Sequence, residues 1–170
     1  MRLPVNRPLY QFLTWCGVST AWEVSVGAIL FRVGAQGREY LLLEYPSGHF
    51  DFAKGHVEAG EKESMTLKRE TKEETGIEPL EILDHRMTIR YFYIAKGNEA
   101  QKRKEAGRGL WIFKLVHFYP ALAASEAEVK LSHEHTGFVW LPYREAVAKA
   151  TFDNAKNLIV ETEKTLTAAD

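Results

Sequence analysis

Apolar and polar positions along the chain fall into two periods. Val24, Val26, Ala28 and Leu30 alternate with Ser25, Gly27 and Ile29, which predicts a mostly buried strand. Residues 34–37 read as a turn, residues 40–43 as a second strand, and Tyr45-Pro46-Ser47-Gly48 as a loop. Residues 61–75 carry few β-branched apolar residues and many Glu and Lys. They predict a helix, with Gly76 at the position of a C-terminal cap. Residues 80–83, 87–94, 110–118 and 138–141 predict strands, and residues 143–149 and 153–166 predict helices, the second capped by Thr151 or Asp153. The stretch KGNEAQKRKEAGRG, residues 96–109, is polar, glycine-punctuated and basic; it reads as a solvated hairpin loop or as a flap facing phosphate. Strands mixed with two or three helices, without a repeat, predict α+β rather than a regular βαβ array.

Residues 1–22 stand apart. Pro4 and Pro8 break the segment, yet Tyr10, Phe12, Trp15 and Trp22 make it aromatic. It is therefore expected to pack as a preface on a single domain of residues 23–170.

Composition narrows the class. The 170 residues are 45% hydrophobic, with a formal charge of −1, which excludes a disordered chain. No apolar run reaches the roughly 20 residues of a membrane helix, so no membrane partner is expected. Cys16 is the only cysteine, which excludes an intrachain disulfide and a cysteine-ligated zinc site. The N-terminus lacks the continuous apolar stretch of a signal peptide, and a cytoplasmic location is expected. The near-zero charge disfavours a nucleic-acid coat. Nothing in the pattern specifies an oligomer.

The chemistry concentrates in GHVEAGEKESMTLKRETKEETGI, residues 55–77. On a helix, Glu70, Glu73 and Glu74 stand at i, i+3 and i+4 and share one face. Like charges at that spacing repel, and anions in the last turn oppose the helix dipole. A hard divalent cation such as Mg²⁺ removes the conflict, because it takes oxygen ligands and shares itself with substrate phosphates. The alternative is a solvated acidic face with an Arg69–Glu73 pair. The rest of the segment favours the cation. Gly55 and Gly60 bracket a short loop, Glu61 sits at the helix start, and Lys54 and His56 place a cation and a donor beside the first glycine. Metal ligands, cationic contacts and flexible backbone together suit the cleavage of a diphosphate.

Read as G-x5-E-x7-R-E-U-x-E-E-x-G-U, with U aliphatic, the segment supplies Gly55, Glu61, Arg69, Glu70, Glu73, Glu74, Gly76 and Ile77, with Thr71 at the first aliphatic position. This resembles the Nudix box. His49-Phe50-Asp51-Phe52-Ala53-Lys54-Gly55-His56-Val57-Glu58 is similar to the H-W-x-x-P-K-G-H-V-E approach of the asymmetrical diadenosine tetraphosphate hydrolases. Phe50 stands for the usual Trp and Ala53 for the usual Pro. Leu131-Ser132-His133-Glu134-His135, followed by Trp140-Leu141, resembles their L-S-H-E-H…W-L segment. The resemblance spans about residues 24–165 and leaves out the first 22.

The resemblance implies a Nudix fold, an α/β/α sandwich around a mixed sheet, and hydrolysis of a phosphoanhydride bond with Mg²⁺, or Mn²⁺ in its place. Diadenosine tetraphosphate, cut to ATP and AMP, is the implied substrate. Glu70, Glu73 and Glu74 are the implied metal ligands, with the Lys54 carbonyl completing the shell. Glu134 is the implied second carboxylate, either general base or further ligand. Arg69 orients the box glutamates and Glu61. Lys54, His56 and His49 are the phosphate contacts, and His133 and His135 support Glu134. Tyr93 and Phe152 match positions where aromatic rings hold the base. Within the family, RNA 5′ ends, inositol pyrophosphates and nucleoside triphosphates are the rival substrates. RNA ends are thus the one nucleic-acid partner kept open. A non-catalytic nucleotide-sensing module is the rival from another class.

Overall fold

The computed structural model describes residues 7–35 and 37–168. Pro4 and the chain end at 170 lie outside them. Thirteen elements follow in order: α1 (Arg7–Trp15), β1 (Thr20–Gly34), β2 (Gly37–Glu44), β3 (Phe50–Asp51), β4 (Lys54–His56), α2 (Glu63–Thr75), β5 (Glu81–Ile82), β6 (Met87–Ile94), α3 (Gly97–Glu105), β7 (Trp111–Leu122), β8 (Gly137–Pro142), α4 (Tyr143–Lys149) and α5 (Asp153–Thr167). They group into two compact units, residues 26–87 with 117–170, and residues 1–25 with 88–116.

The larger unit is built on the β1–β2 hairpin, antiparallel with Phe31 opposite Tyr40 and Gly34 opposite Gly37. β2 also pairs antiparallel with β3 and, on a long register that sets Leu41 opposite Trp140, with β8. β4 pairs with β1, and β5 with the end of β7. Strand alternation sorts the core into two faces. Val26, Ala28, Leu30, Leu41 and Leu43 pack with Leu67 of α2 and with Ile77. Tyr40, from the other face, reaches α5, where its hydroxyl donates to Glu163. The acidic helix and the C-terminal helix thus cover opposite faces of this sheet.

In the smaller unit β6 pairs with β7, and the amides of Leu110 and Trp111 donate to the Ser19 carbonyl (2.8 and 2.9 Å). Phe92 stacks on both Trp111 and Phe113. Tyr10 of α1 meets Trp22 and Phe113 edge-on. Phe12 and Trp15, also on α1, stay 57% and 84% exposed.

Three local expectations are corrected. Pro8 does not break the N-terminal segment; it sits in the first turn of α1, where a missing amide N–H costs no helix bond. Residues 96–109 are mainly helix α3 rather than a loop. The intervening Glu, Ala, Gln, Lys and Arg are helix formers, and the glycines that read as loop punctuation stand at its ends, Gly97 opening it and Gly107 following it. The N-cap of α5 is Phe152, without a side-chain cap, because the Thr151 hydroxyl accepts the Phe50 amide instead (2.8 Å).

Candidate active site

The site grows from α2. The helix begins at Glu63, so Glu61 precedes it, and it ends at Gly76. Gly76 has φ +70°, a left-handed conformation that suits glycine, and donates its N–H to the Lys72 carbonyl. Two further carbonyls at this end are taken by the 130–132 segment: Lys130 N–H donates to Thr75 O (2.8 Å) and Ser132 N–H to Glu74 O (3.2 Å). The helix end therefore fixes the loop that carries Glu134 and His135. Thr71 is buried on the core side of α2.

Arg69 is the hub of the carboxylates. Its Nε and Nη2 clasp Glu61 at 2.8 and 2.9 Å, a bidentate pair. Nη1 reaches Glu70 at 2.7 Å and Glu73 at 3.2 Å, and Nη2 also donates to the His56 carbonyl (3.0 Å). Glu61 accepts further bonds from Thr66 Oγ1 and the Glu58 amide. The Arg69 hydrogen bonds, then that from Thr66, hold the Glu61 carboxyl down at about 2. Arg69 is held charged in return, chiefly by Glu61.

Gly55 is where β4 meets this network. A Cβ built there would lie 1.8–2.1 Å from the Glu70 carboxylate. Only glycine admits that close approach, which explains a glycine at this position in steric terms.

Glu74 differs from its neighbours. It is 6% exposed, and its Oε2 has no hydrogen-bond partner among the described residues. The nearest cationic candidate, His135 Nε2, stands 3.7 Å away, buried and equally unbonded. Burial pushes the Glu74 carboxyl up to about 8; Lys54 opposes that rise, and the charges of Glu70 and Glu134 add to it. Burial also lowers the pKa of His135. Glu134 itself is exposed, its amide donating to Ser132 Oγ (3.3 Å).

A second cluster lies beside β4. Lys54 Nζ contacts Asp51 Oδ2 (3.0 Å), the Tyr45 hydroxyl (3.0 Å) and the Phe52 carbonyl (3.3 Å). Burial disfavours its charge, but Asp51 and Tyr45 outweigh it and raise its pKa. His49 stacks on Tyr45 with ring centroids 4.3 Å apart, and the Phe152 ring stands tilted to His49 at 5.3 Å. His56 is exposed on β4. Glu70, Glu73, Glu74, Glu134, Arg69, Lys54, His56, His49 and Phe152 thus all belong to the larger unit. Tyr93 belongs to the smaller one, where its hydroxyl donates to Glu99 (2.9 Å). A cavity of about 450 Å³ opens elsewhere, at Lys62, Glu63, Arg86 and Tyr119, and includes none of the predicted site residues.

Tyr45 and Asp51 were not singled out in sequence. Tyr45 directly follows the buried strand β2, an ordinary place for an aromatic. The available signal was the turn itself: Pro46-Ser47-Gly48 closes so that Tyr45 N–H donates to His49 O (2.9 Å), which sets residues 45 and 49 side by side.

The residues present fit a hard divalent cation. The donors are carboxylate oxygens, and one of them is a buried acceptor lacking a donor. Among the described residues no three acidic or histidine side chains already converge on one point, since Glu70 and Glu73 turn to Arg69.

Known proteins resemble this chain in sequence and in fold. The NUDIX domain model matches residues 22–161. The chain is 31% identical over 138 residues to the asymmetrical bis(5′-nucleosyl)-tetraphosphatase of Caenorhabditis elegans, covering 79% of this chain and 90% of that protein. It is 32% identical over 143 residues to the Sus scrofa protein of the same name, covering 79% and 89%. The crystal structure of a C. elegans Ap4A hydrolase binary complex superposes with a TM-score of 0.69 at 30% identity, covering 86% of this chain and 98% of that one. The fold class expected from sequence, α+β with a mixed sheet flanked by helices, is the one found. Divalent metals are general to such hydrolases. With its box glutamates gathered on α2 and its match across the domain, the chain belongs to the Nudix family and is a pyrophosphohydrolase.

Proposed function

We propose that this protein hydrolyses diadenosine tetraphosphate to ATP and AMP, with Mg²⁺ as its cation and Mn²⁺ able to replace it. The unpartnered, buried Glu74 oxygen carries the assignment of the site. The substrate rests on similarity to two asymmetrical tetraphosphatases over about nine-tenths of their length.

In this reading Glu70, Glu73, Glu74 and the Lys54 carbonyl hold the cation, and Glu134 joins them or takes the proton of the attacking water. A bound divalent ion neutralises phosphate oxygens and makes water a better nucleophile. Arg69 keeps Glu70 and Glu73 in reach while anchoring Glu61. The fixed charge of Lys54, with His56 and His49, attracts the polyphosphate. Tyr93 and Phe152 are assigned to the bases by their match to the family positions. Residues 1–22 form a preface to a domain of residues 23–170, and the cytoplasm is the compartment. Among the described residues no helix is long and apolar enough to cross a membrane.

The basic stretch 96–109 is only partly available to the rival substrates. Two of its five cations, Arg103 and Arg108, already pair with Glu23.

The test is product analysis after incubation with diadenosine tetraphosphate and Mg²⁺, with an EDTA control. ATP and AMP in equal amounts, abolished by EDTA, are expected. Two ADP would refute the cleavage position. No product would refute the substrate and turn attention to RNA 5′ ends, inositol pyrophosphates and nucleoside triphosphates.

A further inference from the structure

We infer that Tyr45 is a positioning residue of this site, holding the two groups that face the polyphosphate, Lys54 and His49, at fixed places. The inference rests on the reading that those two groups face phosphate.

Tyr45 serves both with one rigid side chain. Its hydroxyl accepts a hydrogen bond from Lys54 Nζ (3.0 Å) and donates to the Phe52 carbonyl (3.2 Å). Its ring lies parallel to His49, 11° between planes, and meets His135 edge-on at 4.5 Å. The Lys54 ammonium also sits 4.8 Å from the ring centroid. Tyr45 is thus a common neighbour of a cation, a half-buried imidazole and the buried imidazole that faces Glu74.

The arrangement has a physical consequence for Lys54. An ammonium has three N–H donors, and Asp51, Tyr45 and Phe52 offer three acceptors. Lys54 is therefore anchored within the protein, and it acts on a polyanion through a charge of fixed position. A lysine stem loses much rotamer freedom when it is ordered on binding. Ordering it beforehand, against Tyr45 and Asp51, moves that loss into folding and favours binding. Stacking does the same for His49, whose Nδ1 is also hydrogen-bonded to Ser47 Oγ.

Two variants separate the hydroxyl from the ring. Tyr45→Phe keeps the stack and removes the acceptor of Lys54. Tyr45→Leu removes both. Each is compared with the wild type for kcat and KM on diadenosine tetraphosphate with Mg²⁺, and for binding of inorganic tripolyphosphate by calorimetry. The His49 ring-proton shifts are read by NMR, since a stacked ring displaces them. For Tyr45→Phe we expect KM and the tripolyphosphate dissociation constant to rise about fivefold to tenfold, the loss of one charged hydrogen bond. We expect kcat within about twofold and the His49 shifts to be retained. For Tyr45→Leu the rise is larger and the His49 shifts move to those of a solvated imidazole.

Unchanged KM and unchanged tripolyphosphate affinity in Tyr45→Phe would overturn the inference. So would failure of the wild type to bind tripolyphosphate. If Tyr45→Leu does not fold, Tyr45→Phe still decides. A wild type that binds tripolyphosphate but releases no ATP and AMP would refute the proposed substrate alone; the binding readout would still decide the role of Tyr45.

Discussion

Helices α2 and α3 are both crowded with charge, and the chain uses the two crowds differently. On α3, Arg103 is buried and every side of its guanidinium is taken: Nη2 by Glu23 (2.5 Å), Nε by Glu99 (3.1 Å) and Nη1 by the Gly109 carbonyl (3.0 Å). Glu23, equally buried, also accepts from Arg108 (2.7 Å) and Lys114 (3.4 Å). These pairs all lie within the smaller unit, and each carboxylate among them has a cation beside it. On α2 the carboxylates outnumber the cation that holds them, and the buried one, Glu74, is left with an unbonded oxygen. A crowd of charge by itself therefore does not mark a site. A buried carboxylate deficit on that same helix does, because an unpaired charge away from water costs free energy that a cation or a proton restores.

The contrast yields graded expectations. The largest concerns Glu74. Glu74→Gln should lower kcat by about a thousandfold, the scale of losing a key electrostatic contact, while leaving the fold intact by circular dichroism. Turnover at the wild-type rate would remove Glu74 from the metal site. The same variant should be more stable than the wild type in EDTA. In the metal-free fold the Glu74 carboxyl titrates near 8, above its ordinary 4.5. The folded state thus keeps a proton that the unfolded chain releases, and wild-type stability falls as pH rises between those values. The thermal advantage of the Gln variant should accordingly widen from pH 5 to pH 8.

Next comes the charge cluster of the smaller unit. Glu23→Gln leaves three cations around a neutral amide and should cost about 3 kcal/mol in urea unfolding, as for a buried pair that loses one partner. If it costs nothing, the cluster is not the structural clasp described.

Gly55→Ala sits between the two extremes. The added Cβ first meets the far end of the flexible Glu70 side chain, which must shift, so the carboxylate moves while stability should change little. Catalysis should fall about 10–100-fold, the usual consequence of disturbing a ligand's support. A large loss of stability with unimpaired kcat in the remaining folded protein would reverse that assignment.

The smallest effect belongs to Glu61. Its carboxyl is held near 2, so its stabilising contribution is present above its ordinary 4.5 and is lost as pH falls toward 2. Glu61→Gln should therefore lie below the wild type in thermal stability at neutral pH and converge with it in acid. A constant gap across that range would mean that the carboxyl charge is not what anchors Arg69.

Much of the fold was legible beforehand, for reasons visible in particular residues. The strand at Met87–Ile94, the helix ending at Gly76 and the pair of C-terminal helices follow from apolar spacing and from a cap that only glycine fills well. The short strands β3 and β4 were not predicted: they lie in a segment where polar residues and glycine interrupt the apolar ones, whereas the equally short β5 sits in a mainly apolar run, residues 80–83. Helix α3 is hidden in the sequence because glycines at both of its ends imitate loop punctuation. The box motif placed Glu70, Glu73, Glu74 and Arg69 on one helix through spacing alone.

What the amino-acid order determined by itself is whatever depends on near neighbours: which residues share the face of α2, where that helix stops, and which family the motif resembles. Tertiary structure alone decided which of three adjacent glutamates is buried and unpaired. It also decided that Lys54 is tied to Asp51 and Tyr45, and that Arg103 on α3 pairs with Glu23. Those outcomes depend on burial and on partners up to 91 positions apart, as in Glu23 and Lys114. Desolvation and hydrogen-bond satisfaction are properties of the packed surroundings, and no local spacing encodes them.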